Sequence, residues 1–182
     1  MLTIPYAPVV QESPSLYILG ETNAEVRIDT AEENRNAAMS LAKQARYSLN
    51  IFSQDLDAAI FNNKEFERCI FNLARRHPTS EIRILTKDSM KAVKQGHCPI
   101  RLAQSLTSSV LIHNPSKEYQ GEMSSFLVAD GVGLLYRNRG IEQNYDATFN
   151  FMSPQRASEL DEYFNEVWER SLPDPQIRRL YM

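Results

Sequence analysis

The sequence is poor in the residues that build metal sites and disulfide frameworks. It has two cysteines, Cys69 and Cys98, and three histidines in 182 residues, and neither cysteine belongs to a CxxC pair or a Cys/His cluster. A zinc site and a disulfide framework are therefore not indicated. We expect no metal and no cofactor, and we expect Cys69 to be a buried helix residue.

Long hydrophobic runs are also missing. No apolar stretch approaches the ~18–20 residues that a membrane-spanning helix needs. A secretory signal needs a basic n-region, and the first Lys or Arg of this chain is Arg27. These absences predict a cytoplasmic protein with no membrane span.

Charge of one sign does not dominate. Twenty Lys and Arg face 23 Asp and Glu, so the net charge is −3, which gives no strong signal for nucleic acid or an anionic membrane surface. Hydrophobic residues make up 42% and charged residues 24%, which excludes wholesale disorder, coiled coil and collagen. The length predicts one domain with a core of its own.

Three prolines punctuate the first 20 residues, which show no regular hydrophobic period. We predict that residues 1–20 form an N-terminal arm or linker and that residues 21–182 form the folded domain. Thr30 and Glu33 then have the spacing of a capping box, which predicts a helix beginning directly after Thr30.

Strand and helix patterns alternate along the rest of the chain. The predicted elements are strand 25–29, a helix to about residue 45, strand 47–53, helix 64–76, strand 81–86, two helical stretches within 87–105, strands 109–113, 126–129, 132–137 and 144–151, and a helix from Ser153–Pro154 to Pro173. This order predicts an α/β fold with a mainly parallel or mixed sheet flanked by helices.

Asp130–Gly131 separates two apolar runs and is a strong hairpin signal. We expect the strand before it to be central. Phe126 and Val128 should then face one covered side, and Leu127 and Ala129 the other.

The stretch from Met123 to Gly131 also carries a family resemblance. The order of elements from about Ala45 to Trp168 resembles one half of the phospholipase D superfamily, whose signature is His-x-Lys-x4-Asp-Gly followed by Gly-Ser-x-Asn. The corresponding positions here are Met123, Ser125 and Asp130–Gly131, so only the Asp-Gly end matches. The resemblance implies a phospholipase D-like fold.

The departures bear on activity. In the family the His attacks the phosphodiester phosphorus and the Lys neutralises the charge that develops in the transition state. Met123 is a feeble nucleophile toward phosphorus, and the neutral Ser125 hydroxyl cannot replace an ammonium. Arg137-Asn138-Arg139-Gly140 stands where Gly-Ser-x-Asn would begin.

Five residues are candidates for ligand binding: Ser53, Ser125, Asp130, Arg137 and Arg139. Ser53 ends a strand, and α/β proteins bind ligands at strand ends. Because loops are generally polar, a serine at this position is also expected without any ligand. Asp130 is either a relic of a catalytic site or a hairpin-turn Asp. The two arginines either hold a phosphate or carboxylate bidentately or are ordinary solvated residues.

A relocated nucleophile would have to be one of three histidines. His77 is expected on the surface at a helix end, and His97 in a loop. His113 ends a strand and is the alternative that we would test, against the simpler interpretation of a structural histidine.

We favour a non-catalytic phospholipase D-like domain that binds an anionic small molecule or a protein partner, or has a regulatory role. The alternative is an active phosphodiesterase or phosphatidyltransferase that uses His113 or is completed by a partner chain. A third hypothesis is an accessory domain that contacts a catalytic partner. Because family members with a single motif pair two copies, a homodimer with Asp130 and Arg137 near the two-fold axis is plausible.

Overall fold

The structure, a computed structural model, describes residues 16–122, 124–138 and 144–177. Its strands are β1 (Val26–Ile28), β2 (Ser48–Ser53), β3 (Glu81–Thr86), β4 (Val110–Asn114), β5 (Ser124–Ala129), β6 (Gly133–Asn138), β7 (Ala147–Asn150) and β8 (Leu172–Pro173). Its α-helices are α1 (Ala31–Gln44), α2 (Ala58–Phe61), α3 (Lys64–Arg76), α4 (Met90–Lys94), α5 (Cys98–Ser105) and α6 (Pro154–Glu169).

The strands of these described residues form one sheet in the order β1-β7-β6-β5-β2-β3-β4-β8. Parallel pairing is confined to β2–β3 and β3–β4, and the other neighbours are antiparallel. The predicted α/β class with a mixed sheet is confirmed. The antiparallel share is larger than the helix–strand alternation suggested, because β5, β6 and β7 follow one another without a helix between them.

Helices cover the two faces of the sheet unequally. On one face, α1, α3 and α5 pack over a large core that includes Leu49, Ile51 and Leu127; we call it the α1 face. On the other face, α6 packs over β5, β2 and β6, with a smaller core that includes Phe52 and Val128; we call it the α6 face. The side chains of β5 alternate between the two cores as predicted, and all six of its residues are buried.

The long helices begin where capping chemistry predicts. Thr30 and Glu33 form the reciprocal capping box at the start of α1. The Asn63 side chain accepts a hydrogen bond from the Phe66 amide at the start of α3, and α3 ends at Arg76, just before His77-Pro78. The short elements α2 and β8 were not predicted, because four and two residues are too few for a hydrophobic period to show.

Residues 17–20 belong to the packed unit, upstream of the boundary predicted at Glu21. Tyr17 is buried against Phe149 and Phe151, and the Gly20 amide donates to the Phe151 carbonyl at 2.8 Å. Leu19 lies so close to Gly133 that a Cβ atom there would be 2.3 Å from the leucine side chain. The first position of β6 therefore favours glycine, because any larger residue would displace the Leu19 side chain.

None of the helices in the described part of the chain is both long and apolar enough to cross a bilayer.

Candidate functional site

Three of the predicted ligand-binding residues lie in one row at an edge of the sheet. Ser125 of β5 pairs with Arg137 of β6, and Ser53 of β2 follows Phe52, which pairs with Phe126. In-register neighbours on adjacent strands point to the same face, which here is the α1 face. We call Ser53, Ser125 and Arg137 the strand-end row. Their exposures are 3%, 7% and 5%, so the row lies below the surface.

The Arg137 guanidinium is already engaged within the chain. Its Nη1 lies 3.6 Å from Asp57 Oδ2, its Nη2 donates to the Asn144 carbonyl at 3.1 Å, and its Cζ lies 4.9 Å from the centre of the Tyr145 ring. Asp57 also accepts from the Ala59 amide at the start of α2. Burial raises the pKa of the Tyr145 hydroxyl, and the charge of Asp57 raises it further. The positive charge of Arg137 is thus largely balanced by Asp57.

The two serines of the row differ in their hydrogen bonding. Ser53 Oγ accepts from the Leu56 amide at 3.1 Å and so organises the turn that leads to Asp57. Leu56 has φ 54° and is fully buried, so this turn keeps a leucine in the left-handed region that leucine rarely adopts. Ser125 Oγ is buried and has no hydrogen-bond partner among the described residues. A buried hydroxyl without a partner is an unusual feature of a folded protein.

Asp130 lies at the opposite end of β5. Its carboxylate accepts three backbone hydrogen bonds, from the amides of Arg46, Tyr47 and Ser48, at 2.8–2.9 Å. Asp130 and Gly131 have φ values of 51° and 66°, and the Val132 amide donates to the Ala129 carbonyl, which defines a type I′ turn. Asp130 is therefore a turn residue that also holds the start of β2.

This position separates Asp130 from Arg137. Arg137 pairs with Ser125, five residues before Asp130, which corresponds to about 17 Å at ~3.4 Å per residue. Asp130 and Arg137 therefore lie at opposite ends of these strands and do not form one cluster within the chain. The homodimer itself stays a prediction. Met123 and Arg139, the other two candidates, lie outside the described residues.

His113 lies on the α6 face, with β2 and β3 between its strand and β5. Its ring stacks on Trp168 at 3.9 Å between centroids, and its Nδ1 shares a hydrogen bond with Ser171 Oγ at 2.8 Å. Burial lowers the pKa of His113. Because the strand-end row is on the α1 face, the sheet separates this histidine from the row.

Sequence reasoning missed three residues near the row. Asp57 and Tyr145 engage Arg137 from two different loops, and no sequence spacing links those loops. His97, predicted in a loop, is the buried N-cap residue of α5, and burial lowers its pKa while the charge of Asp55 acts in the opposite direction. A polar turn directly after β2 was the available signal for Asp55 and Asp57. In the described part of the chain, no three metal-binding side chains come together.

The mixed sheet, with helices on both faces and the hairpin after Asp130, is a phospholipase D-like α/β fold. Within that fold class the chain belongs to the family described as domain of unknown function DUF7931, which matches residues 30–180. No curated protein matches the chain.

Three solved structures are similar to this chain. TrmBL2, an archaeal chromatin protein with a novel mode of DNA binding, has a TM-score of 0.63 and 14% identity over 91% of this chain. This chain spans 57% of the TrmBL2 chain. Nuc from Salmonella typhimurium, a phospholipase D family member, has a TM-score of 0.61 and 11% identity over 83% of this chain and 97% of its own. NucT from Helicobacter pylori has a TM-score of 0.58 and 14% identity over 83% of this chain and 99% of its own. At these identities the likeness shows the fold alone.

Proposed function

We propose that this chain is a non-catalytic phospholipase D-like domain that binds an anionic group, carried by a small molecule or a protein partner, at the strand-end row. The observation that carries the proposal is the Arg137–Asp57 pair beside the unpartnered Ser125 hydroxyl. The row offers donors to an anion. Its two serines and one arginine include neither the histidine nor the lysine that phospholipase D-type cleavage uses.

Asp57 acts in this proposal as an internal substitute for the ligand. Its contact with Arg137 is long for an ion pair, at 3.6 Å, and its side chain is more exposed than the arginine, at 20% against 6%. An incoming phosphate or carboxylate takes the place of Asp57 and gains a hydrogen bond from Ser125. Because arginine holds oxyanions with up to two parallel hydrogen bonds, such an exchange favours a ligand that binds more closely than Asp57 does.

Catalysis by His113 has less support, because its ring is packed on Trp168 on the other face of the sheet. DNA binding, which is described for TrmBL2, also lacks support in this chain, since its acidic residues outnumber its basic ones. The cytoplasmic location and a role as an accessory domain stay predictions.

The substitution Asp57→Asn tests the binding proposal. Asparagine keeps a side-chain oxygen for the Ala59 amide but removes the charge that competes for Arg137. We expect the affinity for inorganic phosphate, measured by calorimetric titration at constant ionic strength, to rise roughly tenfold or more. Asp88→Asn is the matched control, because Asp88 likewise accepts from a backbone amide, that of Met90.

Adding Ser125→Ala to Asp57→Asn should remove part of that gain. Unchanged phosphate affinity in Asp57→Asn would contradict the binding proposal. Hydrolysis of bis(p-nitrophenyl) phosphate by the wild-type chain that His113→Ala abolishes would contradict the non-catalytic assignment.

A further inference from the structure

A second polar surface lies on the α6 face, beyond the area that α6 covers. An open groove of about 1020 Å³ is lined by residues of β1, β6 and β7, by Asp29 and Asp146 beside those strands, by Glu33 of α1 and by Arg156 of α6. The sheet separates this groove from the strand-end row, since Arg137 points to the α1 face and its neighbours Tyr136 and Asn138 line the groove. The volume is slightly above the ~300–1,000 Å³ typical of small-molecule sites, as expected of a groove that is open to solvent.

The strand register arranges donors along one line of the groove. Tyr136 pairs with Thr148, and Thr148 pairs with Arg27, so these three side chains stand side by side on neighbouring strands. The Thr148 hydroxyl oxygen is buried without a hydrogen-bond partner, and the Arg27 side chain makes no hydrogen bond or ion pair, within the part of the chain that the structure describes. Arg156 stacks on the Tyr136 ring at 4.9 Å. This line therefore presents an uncommitted cation beside an uncommitted hydroxyl.

Two residues away from this line, toward one end of the three strands, the groove becomes acidic. The residues there are Asn138, Asp146 and Asp29, which all line the groove. Asp146 already accepts from the Asn144 side chain, whereas the Asp29 carboxylate has no partner among the described residues. Arg27 and Asp29 do not pair with each other, although only one residue separates them. The basic and acidic lines are about 6.6 Å apart along the strands.

We propose that this groove binds a small zwitterion, a molecule that carries both a carboxylate and an ammonium group. The carboxylate contacts Arg27 and, once the Thr148 side chain turns its buried hydroxyl toward the groove, that hydroxyl as well. The ammonium contacts Asp29 and Asp146. A simple anion gains the first set of contacts but meets the repulsion of three carboxylates, those of Asp29, Asp146 and Glu33, and a simple cation meets Arg27. Only a ligand with both charges satisfies both lines of the groove.

The probes are 4-aminobutanoate and glycine, with acetate and methylammonium as single-charge controls. Calorimetric titrations of the full chain at pH 7 and constant ionic strength should show saturable binding of at least one amino acid. Acetate and methylammonium should bind at least tenfold more weakly. The absence of binding by both amino acids, or acetate binding as tightly as the better amino acid, would overturn the proposal.

Three variants locate the site, and each is conservative in shape. Arg27→Gln and Asp29→Asn should each lower the affinity for the better amino acid at least tenfold. Thr148→Val should lower it about threefold without lowering the melting temperature, because the hydroxyl has no partner to lose. Arg75→Gln, at an exposed arginine stacked over Phe71 on α3, should bind like the wild type. Unchanged affinity in both Arg27→Gln and Asp29→Asn would place the binding elsewhere and refute the assignment.

Discussion

The two ends of β5 carry the two halves of one sequence motif, and they are built on different principles. At the Asp130 end, a carboxylate accepts three backbone hydrogen bonds and joins the hairpin turn to the start of β2. At the Ser125 end, a hydroxyl has no partner and the neighbouring Arg137 is balanced by Asp57. The end that matches the family signature is the one whose side chain joins two parts of the fold.

This difference explains how Asp-Gly can be retained where Met123 and Ser125 stand in place of the family's His and Lys. The role of Asp130 needs neither a histidine nor a lysine nearby, because all three of its donors are main-chain amides. The Ser125 end bears no comparable structural role, so its side chains can change while the strand remains buried on both faces. The residue that holds the turn and the positions that the family uses for chemistry thus lie at opposite ends of a strand of six residues.

Val128 lies between the two ends, and its replacement by a charged residue should cause the largest loss of stability. It is 1% exposed in the core of the α6 face, so Val128→Asp places a charge among apolar side chains. We expect this variant to lose several kcal/mol of unfolding free energy and to show no cooperative melt by circular dichroism. Val128→Ala is the control and should fold with a loss of about 2 kcal/mol. A native melt of Val128→Asp would show that β5 is not central.

Asp130→Ala should cause the next largest loss of unfolding free energy. It removes three hydrogen bonds to a charged acceptor and puts alanine at a positive φ, so we expect a loss of about 3 kcal/mol or more in denaturant unfolding. Asp130→Asn retains tolerance of the left-handed conformation and should lose less. If Asp130→Ala unfolds at the wild-type midpoint, the contrast between the two ends of β5 disappears.

Ser125→Ala should cause the smallest change in unfolding free energy. Because the hydroxyl is buried without a partner, its removal should leave the unfolding free energy within about 0.5 kcal/mol of the wild type or raise it. Ser53→Ala is the matched comparison, since Ser53 Oγ accepts from the Leu56 amide and its loss should cost about 1 kcal/mol. A loss above about 1 kcal/mol in Ser125→Ala would mean that the hydroxyl supports the fold.

Local signals predicted most of the elements. The capping box at Thr30 and the Asp-Gly turn each depend on residues a few positions apart, and both were read correctly from the sequence. The helix 64–76 and the strand 81–86 have the predicted bounds, because long amphipathic and apolar patterns carry strong periodicity.

The site depended on contacts that no local pattern records. The amides held by Asp130 are 82–84 residues away in the sequence. Asp57 reaches Arg137 from the turn after β2, and Tyr145 reaches it from the segment before β7. Sequence reasoning identified Ser53, Ser125 and Arg137 but grouped them with Asp130, because a linear motif does not show which end of a strand each residue occupies.

The stack of His113 on Trp168 gives the molecule an optical reporter of its own. Trp168 is the sole tryptophan of the chain, and it joins α6 to the sheet through His113 and the Arg83 guanidinium, which lies 5.4 Å from its ring. Departure of the last helix from the sheet would expose this indole to water. Tryptophan fluorescence, excited at a wavelength that the eight tyrosines do not absorb, therefore follows that helix selectively and without a label, while circular dichroism follows the whole chain.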